Sequence, residues 1–310
     1  MSFAGDCREE LIRIRLHEPH VRLSQLIGLT MTAGGIRLLK RPSVFYQTES
    51  LAVAKHITAL ATCDYDLDSL IEQKEREHRS RPIYTVLLNG MDAHSFLTDT
   101  GALSYTEEGL HILTDVPEVV LTNDETRRAF LRGCFLGGGT CVNPQRSYHL
   151  ELLCRAQPVA DRMVQLLTEF GFHARVTERK ERFVTYLKEG DEVMEFLALI
   201  GANAAALSFE SIRVEKDMRN YINRTSNCET ANLDKQVVAS LKQRAAIRTI
   251  QNHIPLTELP TSLREAAELR LNHPDATLAE LADLAGIQKS GMNHRLTRLI
   301  RLSQELEEQG

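Results

Sequence analysis

A chain of 310 residues, 43% apolar and 25% charged, has room for two or three domains and the balance of a soluble globular protein, which excludes global disorder. Its net charge of −5 argues against a protein coated in nucleic acid. The longest apolar stretch, Val193 to Leu207, is broken by Glu195, Gly201 and Asn203, far short of the ~18 uninterrupted residues of a membrane span. The opening residues lack the basic-then-apolar pattern of a signal segment, so a cytoplasmic location is expected. The cysteines at 7, 63, 134, 141, 154 and 228 form no Cys-x-x-Cys pair. They read as buried thiols in a reducing compartment, and neither a metal nor a cofactor is expected.

Two glycine-broken helices organise the first 210 residues. One runs from Leu23 to Gly35, the other from Arg128 to Thr140. Each precedes a strand (Val44 to Thr48, Tyr148 to Cys154) and then a helix (Leu51 to Leu60, Ala160 to Phe170). The second copy continues into a strand from Arg182 to Leu187. This is an internal duplication with a spacing near 105 residues, as from Gly28 to Gly133. Glycine inside such a helix permits close approach of another backbone, and Gly28 and Gly133 are expected at a crossing of the two helices. The bland alternative is that Gly34-Gly35 and Gly137-Gly138-Gly139 only end helices. A phosphate loop is a poor reading, because the glycines follow a helix and no Gly-Lys-Ser/Thr is present.

From Glu210 to Ser240 the chain is polar, with Asn220, Asn223, Asn227 and Asn232 closely spaced, a composition that marks turns. Met218 to Arg224 nevertheless reads as partly helical and Ala231 to Ile250 as a long helix. Lys216, Arg219, Arg224, Lys235 and Arg244 make the stretch basic. It serves as a hinge or as a set of phosphate-backbone contacts, two roles that are compatible.

A helix from Ser262 to Leu271 ends at Asn272-His273-Pro274. Thr277, with Glu280 three residues on, is a capping box opening a second helix, and Gly286 is its left-handed stop. Ser290 lies in the start of a third helix running to about Leu302, with Met292, Leu296, Leu299 and Ile300 inward. A short helix, a glycine turn and a helix with a free outer face form the helix-turn-helix pattern. No acidic residue occurs between Asp283 and Glu305. If the third helix enters a major groove, Gln288, Lys289, Ser290, Asn293 and His294 lie nearest bases or phosphates. Arg295 and Arg298, with Lys289, set position on the backbone. The alternative is a helical bundle that binds protein, or a solvated basic face. Thirteen Lys/Arg against ten Asp/Glu between Ser211 and Ile300 make this tail mildly basic on an acidic body.

With the helix-turn-helix behind them, the glycine-broken segments resemble degenerate copies of the dodecapeptide helix of LAGLIDADG homing endonucleases, and the whole chain resembles the WhiA family. The most specific stretches are Leu131 to Thr140, Pro144 to Leu152, Tyr186 to Gly190, Asn223 to Lys235 and Leu259 to Leu299. The resemblance implies an α+β fold: a two-repeat LAGLIDADG-like saddle over residues 1–210 (repeats about 20–100 and 125–205), then an all-α helix-turn-helix domain. A basic linker and long helix would cover 211–256, and the helix-turn-helix 257–303. It implies control of transcription of division or sporulation genes, or a part in division and chromosome segregation more broadly.

In the endonucleases each dodecapeptide helix ends in an acidic residue that holds a divalent metal. Matching the motif puts Ala33 and Gly138 at those positions, and neither can ligate a metal. Asp6, Asp99 and Asp115 are not placed by the motif to replace them, so nuclease activity is expected to be lost. A positive saddle face could be built from Arg146, His149, Arg155, Arg175, Arg179, Lys180, Arg182 and Lys188, or these could be a solvated strand face. His17, His20 and His253 form no catalytic constellation. Aromatic residues are 5% with no tryptophan, which favours duplex over single-stranded DNA. The expected partner is double-stranded DNA at the nucleoid, with a second regulatory or division protein as the alternative route of action. Operator and oligomeric state are not legible.

Overall fold

The computed structural model describes residues 2–38, 42–75, 82–107, 109–112 and 116–309. Asp115 lies outside them. The chain divides into two compact units, one ending at Lys216 and the other beginning at Asp217.

The first unit is built twice on one plan. After α1 (Phe3–Leu11), the first copy runs α2 (Pro19–Ala33), β1 (Gly34–Leu38), β2 (Pro42–Thr48), α3 (Leu51–Asp64), β3 (Leu67–Lys74), β4 (Ile83–Gly90) and α4 (Ala93–Asp99). A hairpin of β5 (Leu103–Thr106) and β6 (Gly109–Ile112) follows. The second copy runs α5 (Asp124–Gly138), β7 (Gly139–Cys141), β8 (Leu150–Cys154), α6 (Gln157–Glu169), β9 (Arg175–Glu178), β10 (Phe183–Leu187) and α7 (Gly190–Leu199). Each copy makes an antiparallel four-stranded sheet, and the orders β1-β2-β4-β3 and β7-β8-β10-β9 are the same. The duplication read from the glycine-broken helices is therefore a duplication of topology. Of the strands, the sequence pattern marks β2, β8 and β10; β3 (Leu67–Lys74), exposed along most of its length, lacks a clean apolar alternation.

Pro19 at the first turn of α2, where its missing N–H costs nothing, and the Asn123–Thr126 capping box of α5 start the two central helices. These helices cross at their glycines. A β-carbon on Gly28 would lie 2.2 Å from the Phe130 carbonyl oxygen, and one on Gly133 would lie 2.1 Å from that of Gln25. Leu26, Ile27, Leu29, Leu131, Cys134 and Phe135 are fully buried around the crossing. The glycines thus serve close approach and not merely termination, since both helices continue past them.

A buried polar chain stitches the same interface. Arg132 donates through Nε to the Ile200 carbonyl at 2.7 Å and through Nη1 to Gln25 Oε1 at 3.3 Å, and the Gln25 amide nitrogen is 2.7 Å from His56 Nε2. Burial, reinforced by the Arg132 cation, pushes the His56 imidazole down to about 4. In the unfolded chain it takes its proton near 6.5. The unfolded state therefore binds more protons below that pH. Stability is full above ~6.5 and falls as the pH drops to about 4, by a total on the order of 3 kcal/mol. Urea titrations at stepped pH should show this slope in the parent and its loss in His56→Gln.

The division between the units falls within α8 (Asn203–His253). The turns expected from the asparagine cluster are absent. No glycine or proline interrupts these residues, and the asparagines lie in water rather than competing with the helix backbone. The second unit continues with a short 3₁₀ turn at Leu256–Glu258, α9 (Thr261–Asn272), α10 (Leu278–Leu284) and α11 (Lys289–Gln309). Its core joins Ile247 and Ile250 of α8 to Leu263, Ala266, Ala267, Leu281, Ala282, Met292, Leu296 and Leu299. Among the described residues no helix is long and apolar enough to cross a membrane.

Candidate nucleic-acid interface

The second unit is shaped by its caps. Thr277 accepts from the Glu280 amide at 3.2 Å while Glu280 accepts from the Thr277 amide at 2.7 Å. Hydrogen bonding to Thr277 holds the Glu280 carboxyl below its ordinary value. Thr277→Ala should cost about 1 kcal/mol, read as a roughly fivefold faster hydrogen exchange of the α10 amides. At the other end Gly286 takes φ +63°, and the Ile287 amide donates back to Ala282 at 2.9 Å. This is a Schellman closure that turns the chain directly into α11. Ala282 is buried where α10 packs, the small residue a close helix pair needs.

The loop between α9 and α10 is held by a cation on the apolar face of α9. Arg270, almost wholly buried, donates to the carbonyls of His273, Pro274 and Ala276 at 3.3, 3.4 and 2.8 Å. Ser240 and Gln236 of α8 donate to Pro274 and Asp275 at 2.6 and 2.9 Å. The only advance signal was a charge inside an apolar pattern.

These contacts fix the outer face of α11. The helix begins at Lys289, one residue before the expected Ser290, and extends past Leu302 because Leu302 and Leu306 still pack on the core. At ~100° per residue Asn293, Thr297, Ser290, Arg301, His294 and Arg298 share one arc of roughly 140°. All six are exposed, as are Gln288 and Lys289 at the helix start. Thr297 lies within the arc between Asn293 and Ser290. Arg295 is placed differently. It is half-buried at the edge of the arc, and its Nη1 lies 2.8 Å from Glu265 Oε2 of α9. Met292, Leu296 and Leu299 face inward and Ile300 is half-buried.

The basic residues of α8 do not line one stripe. Arg219, Arg224 and Lys235 are exposed, but helical geometry sets Arg219 roughly 140° from Arg224. Lys216 has its Nζ 4.8 Å from the Tyr148 ring centroid, and Arg244 is half-buried near Arg270.

In the first unit, Ala33 and Gly138 end the two crossed helices and line one groove of about 850 Å³. They do not fit a metal. Neither carries a donor side chain, and a β-carbon on Gly138 would lie 2.5 Å from the Leu153 carbonyl oxygen. Asp6 is exposed on α1, and Asp99 accepts from the Tyr65 hydroxyl at 3.0 Å. No cluster of three His, Cys, Asp or Glu suited to a metal occurs among the described residues. Arg155 and Arg182 also line the groove. His149 and Arg179 both contact Glu151, at 2.8 and 3.4 Å. Lys188 sits over the Tyr186 ring at 4.9 Å. Arg146, Arg175 and Lys180 are exposed. Lys180 and Glu181 adopt φ of +50° and +58° at the tip of the β9–β10 hairpin.

Two LAGLIDADG-type repeats crossed at glycines and followed by a helix-turn-helix define a degenerate homing-endonuclease fold carrying a C-terminal helix-turn-helix domain. The family models agree: the WhiA LAGLIDADG-like domain matches residues 127–219 and the WhiA C-terminal HTH domain matches residues 222–303. The chain is 38% identical to the probable cell division protein WhiA of Heliobacterium modesticaldum, over 100% of this chain and 98% of that one. It is 35% identical to the same-named protein of Clostridium acetobutylicum, with 100% of both chains covered. It belongs to the WhiA family. Full-length DUF199/WhiA from Thermatoga maritima has the same fold, with a TM-score of 0.62 at 23% identity over 98% of this chain and 99% of that one.

Proposed function

We propose that the second unit reads duplex DNA through α11, and that the chain acts without catalysis as a regulator of transcription of cell-division or sporulation genes. The observation that carries this reading is the exposed arc of α11. It offers hydrogen-bonding side chains (Ser290, Asn293, His294) and the Arg298 cation, with Lys289 exposed at the helix start and no acidic residue before Glu305. Asparagine and histidine at such positions hydrogen-bond base edges, while lysine and arginine set register on phosphates. Arg224 and Lys235, within roughly 20° of each other on one face of α8, supply further backbone contacts, and the chain works at the nucleoid in the cytoplasm.

The test is genome-wide occupancy of the full-length protein beside an Asn293→Ala/Arg298→Ala variant, followed by duplex binding in vitro at two salt concentrations. Discrete promoter peaks that vanish in the variant support the reading. Diffuse occupancy, or a variant that behaves like the parent, overturns it. Ala33 and Gly138 support loss of nuclease chemistry, which predicts intact plasmid after incubation with magnesium or manganese.

A second reading has an observation of its own. The relatives carry the name of a cell division protein, and the first 210 residues are acidic, a poor match for DNA. In that reading a protein partner takes the first unit and α11 only tethers the chain to DNA. It predicts weak, sequence-tolerant binding that tracks salt alone.

A further inference from the structure

The C-terminal ends of α2 and α5 both reach the groove that Ala33 and Gly138 line. Helix C-termini direct unpaired carbonyls and the negative end of the dipole at whatever lies beyond them, so the place favours a cation. Here the chain supplies one itself. Arg8 of α1 donates through Nη2 to the Gly139 carbonyl and lies 5.7 Å from the Phe135 ring centroid. A guanidinium cannot activate water as a metal does, but its remaining N–H groups attract an anion directly.

Two more guanidiniums converge on the groove. Arg155 follows β8, and Arg182 closes the β9–β10 turn. Burial and the neighbouring Arg182 cation hold the Arg155 guanidinium below its ordinary value, so the two charges lie near one another. Neither forms an ion pair with a carboxylate among the described residues, although Arg179 on the same hairpin does. Like charges held near one another repel, modestly where water reaches them, and an anion between them relieves that repulsion. The turn that presents Arg182 is also strained, with non-glycine residues at two positive-φ positions where glycine or asparagine is usual. Two carboxylates, Glu9 and Glu49, line the groove as well. The Glu49 charge acts on Arg8, and Glu9 offers an acceptor for hydroxyl groups.

We propose that this groove binds a phosphate-bearing small molecule of nucleotide size, with its phosphate clamped by Arg155 and Arg182 and backed by Arg8. A volume of about 850 Å³ suits such a ligand. Three guanidiniums around one anion match the several acceptor oxygens of a phosphate better than the two of a carboxylate. α1 lines one side of the groove through Gly5, Arg8 and Glu9, with its N-cap Ser2 beside them.

Isothermal titration of the full-length protein with inorganic phosphate, AMP and ATP tests this. The expected result is saturable binding of at least one nucleotide with Kd below about 1 mM. Arg155→Gln/Arg182→Gln should weaken it at least about tenfold, while Lys289→Gln/Arg298→Gln leaves it unchanged. Both groove positions are exposed, and circular dichroism checks that the variants fold. No saturable binding by any of the three probes up to about 10 mM, or binding that survives loss of both guanidiniums, overturns the proposal. So does displacement of the nucleotide by a duplex of about two helical turns in the Lys289→Gln/Arg298→Gln variant, which would assign the groove to DNA backbone phosphates instead.

Discussion

Replacing Gly133 with alanine is expected to lower the unfolding free energy of the first unit by about 3 kcal/mol or more, measured by urea denaturation. Two effects oppose each other. Alanine favours a helix interior over glycine by roughly 0.5–1 kcal/mol, so on an open helix face the change would stabilise. At this position the new β-carbon would meet the Gln25 carbonyl oxygen at 2.1 Å and the Leu29 amide nitrogen at 3.0 Å. Both are backbone atoms of α2, which cannot rotate aside as a side chain can. Relief requires the helices to move apart, and the buried side chains around them would lose contact together. The steric effect therefore wins. Gly28→Ala meets the Phe130 carbonyl from the other side and should behave alike. The double variant should cost less than the sum, because one separation relieves both clashes. A Gly133→Ala protein as stable as the parent would refute the crossing.

The second large effect concerns α11. Arg298→Ala should weaken duplex binding across all sequences and flatten its salt dependence by about one unit of slope, the mark of a lost phosphate contact. Asn293→Ala should cost about 1–3 kcal/mol on the preferred site and far less on random duplex. Arg295→Ala should differ from both. Its guanidinium is engaged by Glu265, a partly exposed pair, so removal should cost at most ~1 kcal/mol of stability and little of the salt slope. Competition titrations on specific and random duplexes at several salt concentrations separate the three. Equal effects of Arg295→Ala and Arg298→Ala on the slope would show that the Glu265 pair opens on DNA.

Much of this was legible in the sequence for identifiable reasons. Glycine inside an apolar helix has few uses other than close approach, so the Gly28–Gly133 crossing could be read from spacing. The Thr277–Glu280 box and Gly286 are local signals whose meaning does not depend on the rest of the fold. What could not be read was non-local. That Arg8 reaches Gly139, Arg295 pairs with Glu265, and Arg270 holds the loop before Thr277 follows from packing that no periodicity encodes. The asparagines of α8 misled in the opposite direction. Their turn preference is a statement about competition for backbone hydrogen bonds, and the uninterrupted helix overrides it.

The helix crossing also sets a timetable for synthesis. Almost every side chain of α2 from Leu26 to Ala33 is buried, and its partner surface is α5, 105 positions later at the glycine contact. A ribosome adding roughly 5–20 residues per second leaves α2 without that partner for about 5–20 s after it emerges. During that interval an apolar, glycine-notched helix faces solvent or chaperones, and the first repeat must wait for its own duplicate before it can close.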